Sequence, residues 1–408
     1  MNNFPVKFVF IGEVDHGKSS LIGRLALDTN SMPREHVKNI RQISKELGSE
    51  TALAYFTDQL EEERKNNLTI DTTQIQLNSP GKNYVLIDTP GHLEFLKNMM
   101  TGVTHADAAI LVIDATEGIK PQTQRHAFLA GFLGLRHIII VVNKMDLASY
   151  SQRTFEEITQ KLRSLLPAHT NQNISMVPAS AKEAANISRR SSKTPWYKGP
   201  SLLEAMKSIR INQKKDSAPF CFPVQDVYKI GNENIIVGRI ASGSVEQGQD
   251  ITLLPSQKRA TIRSLKVFDK ETKKAQSRQS IGIALTTPLN VKRGDVLCDK
   301  KYRPQITTRF TGKVFWLSDK PLGLNQTILI RCATQETQCT VEKIEKKTDL
   351  ALSKELKQNM NELKQNETAA IQFKANTALV VEDSNRVGEL GRFVLQDNDH
   401  LLGVGIIK

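Results

Sequence analysis

The run FVFIGEVDHGKSSL, residues 8–21, carries an apolar strand straight into a Gly-x-x-x-x-Gly-Lys-Ser loop and then into a helix. No other feature constrains the fold as tightly. Such a loop turns its backbone N–H groups inward and offers a phosphate the positive end of the following helix, so it needs a strand to launch it and a helix to close it. Gly12 and Gly17 permit the tight turn and the close approach. Lys18 is placed to reach β and γ phosphates, and the Ser19 hydroxyl to ligate Mg²⁺. The whole stretch of Gly12, Glu13, Val14, Asp15, His16, Gly17, Lys18 and Ser19, with Ser20 behind it, is expected to wrap the phosphates of a nucleotide.

Up to about residue 210 short apolar runs alternate with amphipathic stretches. The predicted strands are VKFVFI, TTQIQL, YVLID, AAILVID, HIIIVVN and ISMVPAS, and QTQRHAFLAGFLG after Pro121 reads as a helix opened by proline. Strand and helix in alternation predict an α/β P-loop domain: a mostly parallel sheet with helices on both faces, its ligand at the carboxyl ends of the strands. After DSAPF, near residue 216, helical periodicity fades and short β runs between glycine turns take over, as in IIVGRIASGSVEQGQDITLLP. A second break falls at DKKYRPQ, residues 299–305. The expected division is a nucleotide-binding domain over 1–212 and two antiparallel β-barrel domains over 213–303 and 304–408. Within the last, DLALSKELKQNMNELKQNE has the leucine spacing of a helix but reads equally as a charged excursion; in the first domain, SRRSSK at 188–193 reads as an exposed loop.

Three further elements choose the nucleotide. In VLIDTPGH, residues 85–92, Asp88 ends a buried strand and suits a second contact to Mg²⁺. Thr89 and Pro90 follow, the amide of Gly91 can sense the γ phosphate, and His92 can orient the attacking water. In VVNKMD, Asn143, Lys144, Met145 and Asp146 follow another strand. The Asp146 carboxylate accepts from N1–H and N2–H of guanine, whereas adenine has no such donor pair and would leave it unpaired at about 1–3 kcal/mol or more. Asn143 bonds N7 and braces the loop, and the Lys144 stem packs over the base. In PASAK, Ser180, Ala181 and Lys182 bring a backbone N–H to O6. Four unrelated turns do not fall in this order at strand ends, so the nucleotide is GTP. Thr69, in NNLTIDTT, completes the Mg²⁺ shell when the γ phosphate is present, making residues 28–70 a switch. Lys18, Thr69 and His92 are therefore the candidate catalytic residues, and Ser19, Thr69 and Asp88 the candidate metal ligands.

The four cysteines lack ligand spacing and read as reduced, buried thiols. No apolar run reaches the ~20 residues of a membrane helix. The phosphate loop begins at Gly12, leaving no room for a cleaved leader, and the expectation is a cytoplasmic protein with no membrane partner. The net charge of +13 is uneven: residues 1–210 hold 25 basic and 21 acidic side chains, residues 211–408 hold 31 and 22. The surplus lies mostly away from the phosphate loop and reads first as a solvated basic surface, and second as a face for an anionic partner, RNA or an acidic protein.

The segments GEVDHGKSS, LTID, DTPGH and NKMD, followed by two β domains, resemble the translation-factor class of GTPases, the elongation factor Tu type, along essentially the whole chain. That resemblance implies a GTPase domain followed by two β barrels, and it supports Thr69 and His92 in the roles above. Within the class the chain is most similar to the large, GTP-binding subunits of bacterial sulfate adenylyltransferases, through DTPGHLEFLKNMMTG, IKPQTQRHAFLAGFLGLRHIIIVVNKMDL, FPVQDVYK and FWLSDKPLGLNQTILIR.

What this resemblance implies is a heterodimer or larger assembly. A small ATP-using partner would adenylylate sulfate, giving adenosine 5′-phosphosulfate and pyrophosphate, and this chain's GTP hydrolysis would drive that uphill step. Two residues depart from the pattern. His16 stands where the sulfate subunits carry a second aspartate, and Asn67 where the class carries glycine. Asp-His-Gly-Lys is the elongation-factor spelling, so the alternative is a translational GTPase that delivers aminoacyl-tRNA, using its basic β domains on phosphates. A binding module with vestigial hydrolysis fits less well, since His92 and Thr69 are both present.

Overall fold

Six strands of the N-terminal half build one sheet in the order β2-β3-β1-β4-β5-β6. They are β1 (Val6–Gly12), β2 (Thr73–Ser79), β3 (Lys82–Asp88), β4 (Ala108–Asp114), β5 (Ile138–Asn143) and β6 (Ile174–Pro178). The computed structural model of the chain describes residues 5–32, 37, 73–89, 106–132, 135, 137–165, 174–210, 218–231, 233–267, 270–349, 354–356, 360–398 and 400–407. Two units emerge, Met1–Ile211 and Asn212–Lys408.

In the first unit β2 and β3 form an antiparallel hairpin, and every other neighbouring pair in the sheet is parallel. The predicted strands all fall on these six. All seven residues of β4 and all six of β5 are buried, the composition expected of strands covered on both faces. The helices are α1 (Lys18–Asp28), α2 (Pro121–Phe132), α3 (Gln152–Leu165) and α4 (Leu202–Ser208). In α3, Phe155, Ile158 and Leu162 are buried at spacings of three and four, one apolar stripe of an amphipathic helix. Ser201 and Glu204 start α4 with a reciprocal capping box. Phe8, Phe10, Leu21, Ile22, Ile110 and Val141 pack in the core that holds α1 on the sheet. Burying each such side chain is worth about 1.5–3 kcal/mol.

The second unit contains two closed antiparallel barrels. In the first, strands Asp250–Leu254, Val296–Asp299, Cys221–Ile230, Glu233–Arg239, Ser280–Leu285 and Lys258–Val267 pair in that order, and the last closes on the first. In the second, Thr327–Cys332, Arg392–Asp397, His400–Ile407, Gln305–Trp316, Glu367–Val381 and Gln335–Asp349 close in the same way. Closure removes free strand edges. Inward and outward positions alternate: Ala369, Ile371, Phe373 and Ala375 are buried while Gln372 and Lys374 point outward or sit at the rim. Cys221, Leu254, Val296 and Cys298 of the first barrel share an apolar cluster with Val380, Val387 and Leu390 of the second.

The leucine spacing in 349–367 does not make a helix among the described residues. Asp349 ends a long strand, Lys354–Leu356 pairs back on Lys347–Asp349, and Glu362–Leu363 pairs with Leu322–Gly323. All four cysteines are free and buried. Arg189, Arg190, Ser192 and Lys193 lie exposed in a turn segment, as the SRRSSK reading expects. Among the described residues no helix is long and apolar enough to cross a membrane.

Candidate GTP site

The carboxyl ends of β1, β3, β4, β5 and β6 bring the motif residues together. Parallel register does most of this: Gly12 pairs with Val112, Phe10 with Asp88, and Asp114 with Asn143. Gly12 has φ +150° and a Cβ there would lie 2.4 Å from the Val112 carbonyl oxygen, so only glycine fits where the loop leaves the sheet. Asp15 is left-handed at φ 61°, as is Gly17 at 86°, the residue that starts α1. A glycine N-cap brings no side chain to occupy the first helical amides, which leaves that end open to an anion.

Lys18 turns back over the loop, its ammonium donating to the carbonyls of Gly12 at 3.1 Å and Glu13 at 2.7 Å. Burial pushes its pKa down, opposed by the charges of Asp88, Asp15 and Glu13. Ser19 Oγ donates to Asp88 Oδ2 at 2.7 Å. Ser20 is buried behind the loop, and the Thr89 hydroxyl donates to the Phe10 carbonyl at 2.6 Å, fixing the end of β3 against β1. The oxygen donor set of Ser19 and Asp88 suits a hard cation that takes its remaining ligands from phosphate and water. Among the described residues no group of three or more His, Cys, Asp or Glu could hold a metal.

The Asn143 side chain is engaged at both ends. Its amide donates to the His16 carbonyl at 3.0 Å, and its oxygen accepts from the Ala181 N–H at 3.1 Å. One side chain thus bolts three loops together. One amide hydrogen stays available for N7, whereas the Ala181 N–H expected at O6 is held by Asn143. Lys144 is left-handed at φ 59° and its ammonium lies 3.0 Å from Asp114 Oδ2. Burial raises the Asp114 pKa, but hydrogen bonds from Thr116 and the Lys144 charge outweigh it and hold the carboxyl below its usual value. Met145 is buried and donates its N–H to the Ala179 carbonyl at 3.0 Å, leaving Asp146 partly buried at the rim. Ser180 is buried and Lys182 exposed. Val14 is partly buried in the phosphate loop.

Arg24 and Asp114 join the site without having been singled out by motif, and Glu13 and His16 make contacts beyond the phosphate loop. Arg24 on α1 donates to the carbonyls of Ala181 at 3.0 Å and Lys182 at 3.2 Å. Glu13 turns its carboxylate away from the phosphate cradle, accepting from the N–H and hydroxyl of Thr123 at 3.0 and 2.8 Å and so capping α2. His16 is fully buried, with Nδ1 3.2 Å from the Val112 carbonyl and Nε2 3.1 Å from Glu117. Asp114, a carboxylate at a strand end beside Asn143, carries the one signal a sequence could have shown. Thr69, Pro90, Gly91 and His92 lie outside the described residues.

Residues 5–212 match the family model for the elongation factor Tu GTP binding domain, residues 234–298 that for elongation factor Tu domain 2, and residues 309–408 that described as GTP-eEF1A C-terminal domain-like. The chain belongs to the elongation factor Tu-like GTPase family. Among relatives of this GTPase, elongation factor 1-alpha of Methanosphaerula palustris is 33% identical over 97% of this chain and 95% of its own length. Sulfate adenylyltransferase subunit 1 of Aliarcobacter butzleri is 33% identical over 100% of this chain and 88% of its own. Among solved structures, the GTPase-like domain of S. cerevisiae Ski7, bound to GTP, matches with a TM-score of 0.65 and 18% identity over 100% of this chain and 97% of that one, a likeness of fold. Membership of this family supports GTP binding.

Proposed function

We propose that this GTPase couples GTP hydrolysis to the adenylylation of sulfate by a smaller, ATP-using partner subunit. The GTP half of the proposal is carried by one observation: Asn143 joins the phosphate loop, through the His16 carbonyl, to the Ala181 loop beside it. The sulfate half is supported by full-length identity of 33% to a sulfate adenylyltransferase subunit 1.

In this reading the amides of the Gly12–Ser19 loop and the open end of α1 bind the phosphates, with Lys18 neutralising them. Ser19, Asp88 and Thr69 would hold Mg²⁺, which would supply positive charge to offset that of the phosphates. Asp146 accepts from N1–H and N2–H of guanine, and the Ala181–Lys182 turn closes over its O6 edge. His92 orients the attacking water. Hydrolysis then releases a partner conformation, limited by the partner's difference in affinity for the GTP and GDP states. ATP and sulfate bind the partner.

A second reading, delivery of aminoacyl-tRNA, is favoured by the full-length identity of 33% to elongation factor 1-alpha and by the Asp15-His16-Gly17-Lys18 spelling. The test loads the purified chain with a non-hydrolysable GTP analogue and offers it aminoacyl-tRNA and a small sulfate-adenylylating subunit. Retention of the subunit, with pyrophosphate release that requires sulfate, ATP and GTP together, is the expected result. Retention of aminoacyl-tRNA without such release overturns it in favour of translation.

A further inference from the structure

Two consecutive residues after the guanine-reading carboxylate, Ser149 at φ 51° and Tyr150 at φ 53°, adopt the left-handed conformation. For a residue as bulky as tyrosine this is a genuine outlier, and such strain persists only where surrounding contacts over-determine it. The contacts around Tyr150 are specific. Its N–H donates to the Met145 carbonyl at 2.8 Å, and the Ser149 N–H donates to the Asp146 carbonyl at 3.3 Å, closing the turn that begins at Asp146. The indole N–H of Trp196 donates to the Tyr150 carbonyl at 3.0 Å, and Trp196 itself packs on Phe155 of α3 with centroids 5.5 Å apart. The left-handed turn therefore aims the phenol back across to the other base loop, where its hydroxyl donates to Glu183. Lys193 pairs with the same carboxylate and lies 5.5 Å over the Tyr150 ring. Glu183 in turn donates its N–H to Ser180 Oγ at 3.1 Å, at the start of the Ala181–Lys182 turn.

We infer that Tyr150 is a positioning residue for base recognition: its bond to Glu183 sets the distance between the Asp146 carboxylate and the Ala181–Lys182 turn, and so sharpens selection of guanine. This rests on the assignment of Asp146 as the base-reading carboxylate. Asn143 joins the two loops through a buried hydrogen bond. Tyr150 joins them through an exposed one. A base that needs Asp146 and the Ala181–Lys182 turn at once senses both ties, and a base that engages them less fully senses them less.

The experiment uses the full chain and follows release of fluorescent GDP and IDP after mixing with excess unlabelled nucleotide. IDP lacks the N2 amine. Tyr150→Phe, which keeps the ring and removes the hydroxyl, is expected to release GDP about three- to tenfold faster and to narrow the GDP-over-IDP preference by a similar factor, with the thermal midpoint held. Glu183→Ala should match it, Glu183→Gln, which retains an acceptor oxygen, should restore much of the parent behaviour, and the Tyr150→Phe/Glu183→Ala pair should be no worse than either single change. Additive effects, or equal losses for GDP and IDP with a lowered thermal midpoint, would mean a general folding role and overturn the inference. Unchanged release in both singles also overturns it. Asp146→Asn, measured alongside with xanthosine diphosphate, separates the two levels. A switch toward xanthosine keeps the base assignment whatever Tyr150 does, and persistent guanine preference removes the assignment itself.

Discussion

Ser19 Oγ and Asp88 Oδ2 lie 2.7 Å apart, joined across 69 residues of sequence by the pairing of β1 with β3. The contact needs no induced movement, because register alone sets Asp88 beside Phe10, two residues before the loop. Asp88→Asn keeps an oxygen for the serine and removes the charge. The expected outcome is loss of the Mg²⁺ effect on nucleotide retention: GDP leaves the variant as fast in Mg²⁺ as the parent does in EDTA, and release in EDTA is unchanged. Stopped-flow release of labelled GDP measures this, and a variant that still slows on adding Mg²⁺ removes Asp88 from the metal site.

How much of this site a sequence can show depends on where each partner sits. The phosphate loop, Asp88 and the Asn143–Asp146 run are local patterns, each a few residues after a strand, and alternation of strand and helix places them on one edge. Arg24 escapes such a reading because the Ala181 carbonyl lies 157 residues away, and the bond of Glu13 to Thr123 escapes it because 110 residues separate the two. Tyr150 escapes for a different reason: its part depends on a backbone angle, which residue identity does not disclose. In the second barrel, leucine spacing suggested a helix over 349–367, yet cross-strand pairing with Lys347–Asp349 and Leu322–Gly323 overrides local propensity.

Gly12→Ala tests the close approach at the start of the phosphate loop. Its Cβ would lie 2.4 Å from the Val112 carbonyl oxygen, a backbone atom that cannot swing aside. The chain must move β1 away from β4 there, so GDP affinity should fall at least about tenfold and stability by about 1–3 kcal/mol. Gly81→Ala is the control. It also has positive φ, 78°, but nothing lies within 4 Å of the new methyl, so it should cost only the local strain of about 1–2 kcal/mol and leave GDP affinity unchanged. Calorimetric titration with GDP and urea unfolding of both variants distinguish the two effects.

Lys347 tests the interior of the second barrel. Its ammonium lies 2.9 Å from Glu367 Oε2 and donates to the Glu362 carbonyl at 2.9 Å, with the lysine side chain 2% exposed. Lys347→Met leaves the Glu367 carboxylate buried beside an apolar neighbour, and the expected loss is about 3–5 kcal/mol by urea unfolding. Lys347→Met with Glu367→Leu removes both charges and should recover most of that loss. A double variant as unstable as the single would show that the lysine stem, not the charge pair, carries the stability.

His126 on α2 is a buried imidazole whose protonation should weaken the nucleotide-binding unit in acid. The imidazole is 1% exposed, and its Nδ1 has no hydrogen-bond partner among the described residues. Burial, with the charges of Lys18 and Arg125 and the His16 imidazole nearby, lowers its pKa from 6.5 to about 3. In the unfolded chain the same group takes a proton near pH 6.5, so the folded state is favoured fully above that pH. As pH falls from 6.5 toward 3 the unfolded state alone gains a proton, and stability declines by up to about 1.4 kcal/mol per pH unit. Between pH 7.5 and pH 5.5 this group should therefore take away about 1.4 kcal/mol. His126→Gln does not titrate, and its decline over that interval should be smaller than the parent's by the same amount, whatever its stability at pH 7.5. Urea unfolding of the two proteins at both pH values gives the comparison. Parallel declines would mean that His126 takes up its proton as readily in the folded chain as in the unfolded one, and that the charges around the phosphate loop accommodate an imidazolium.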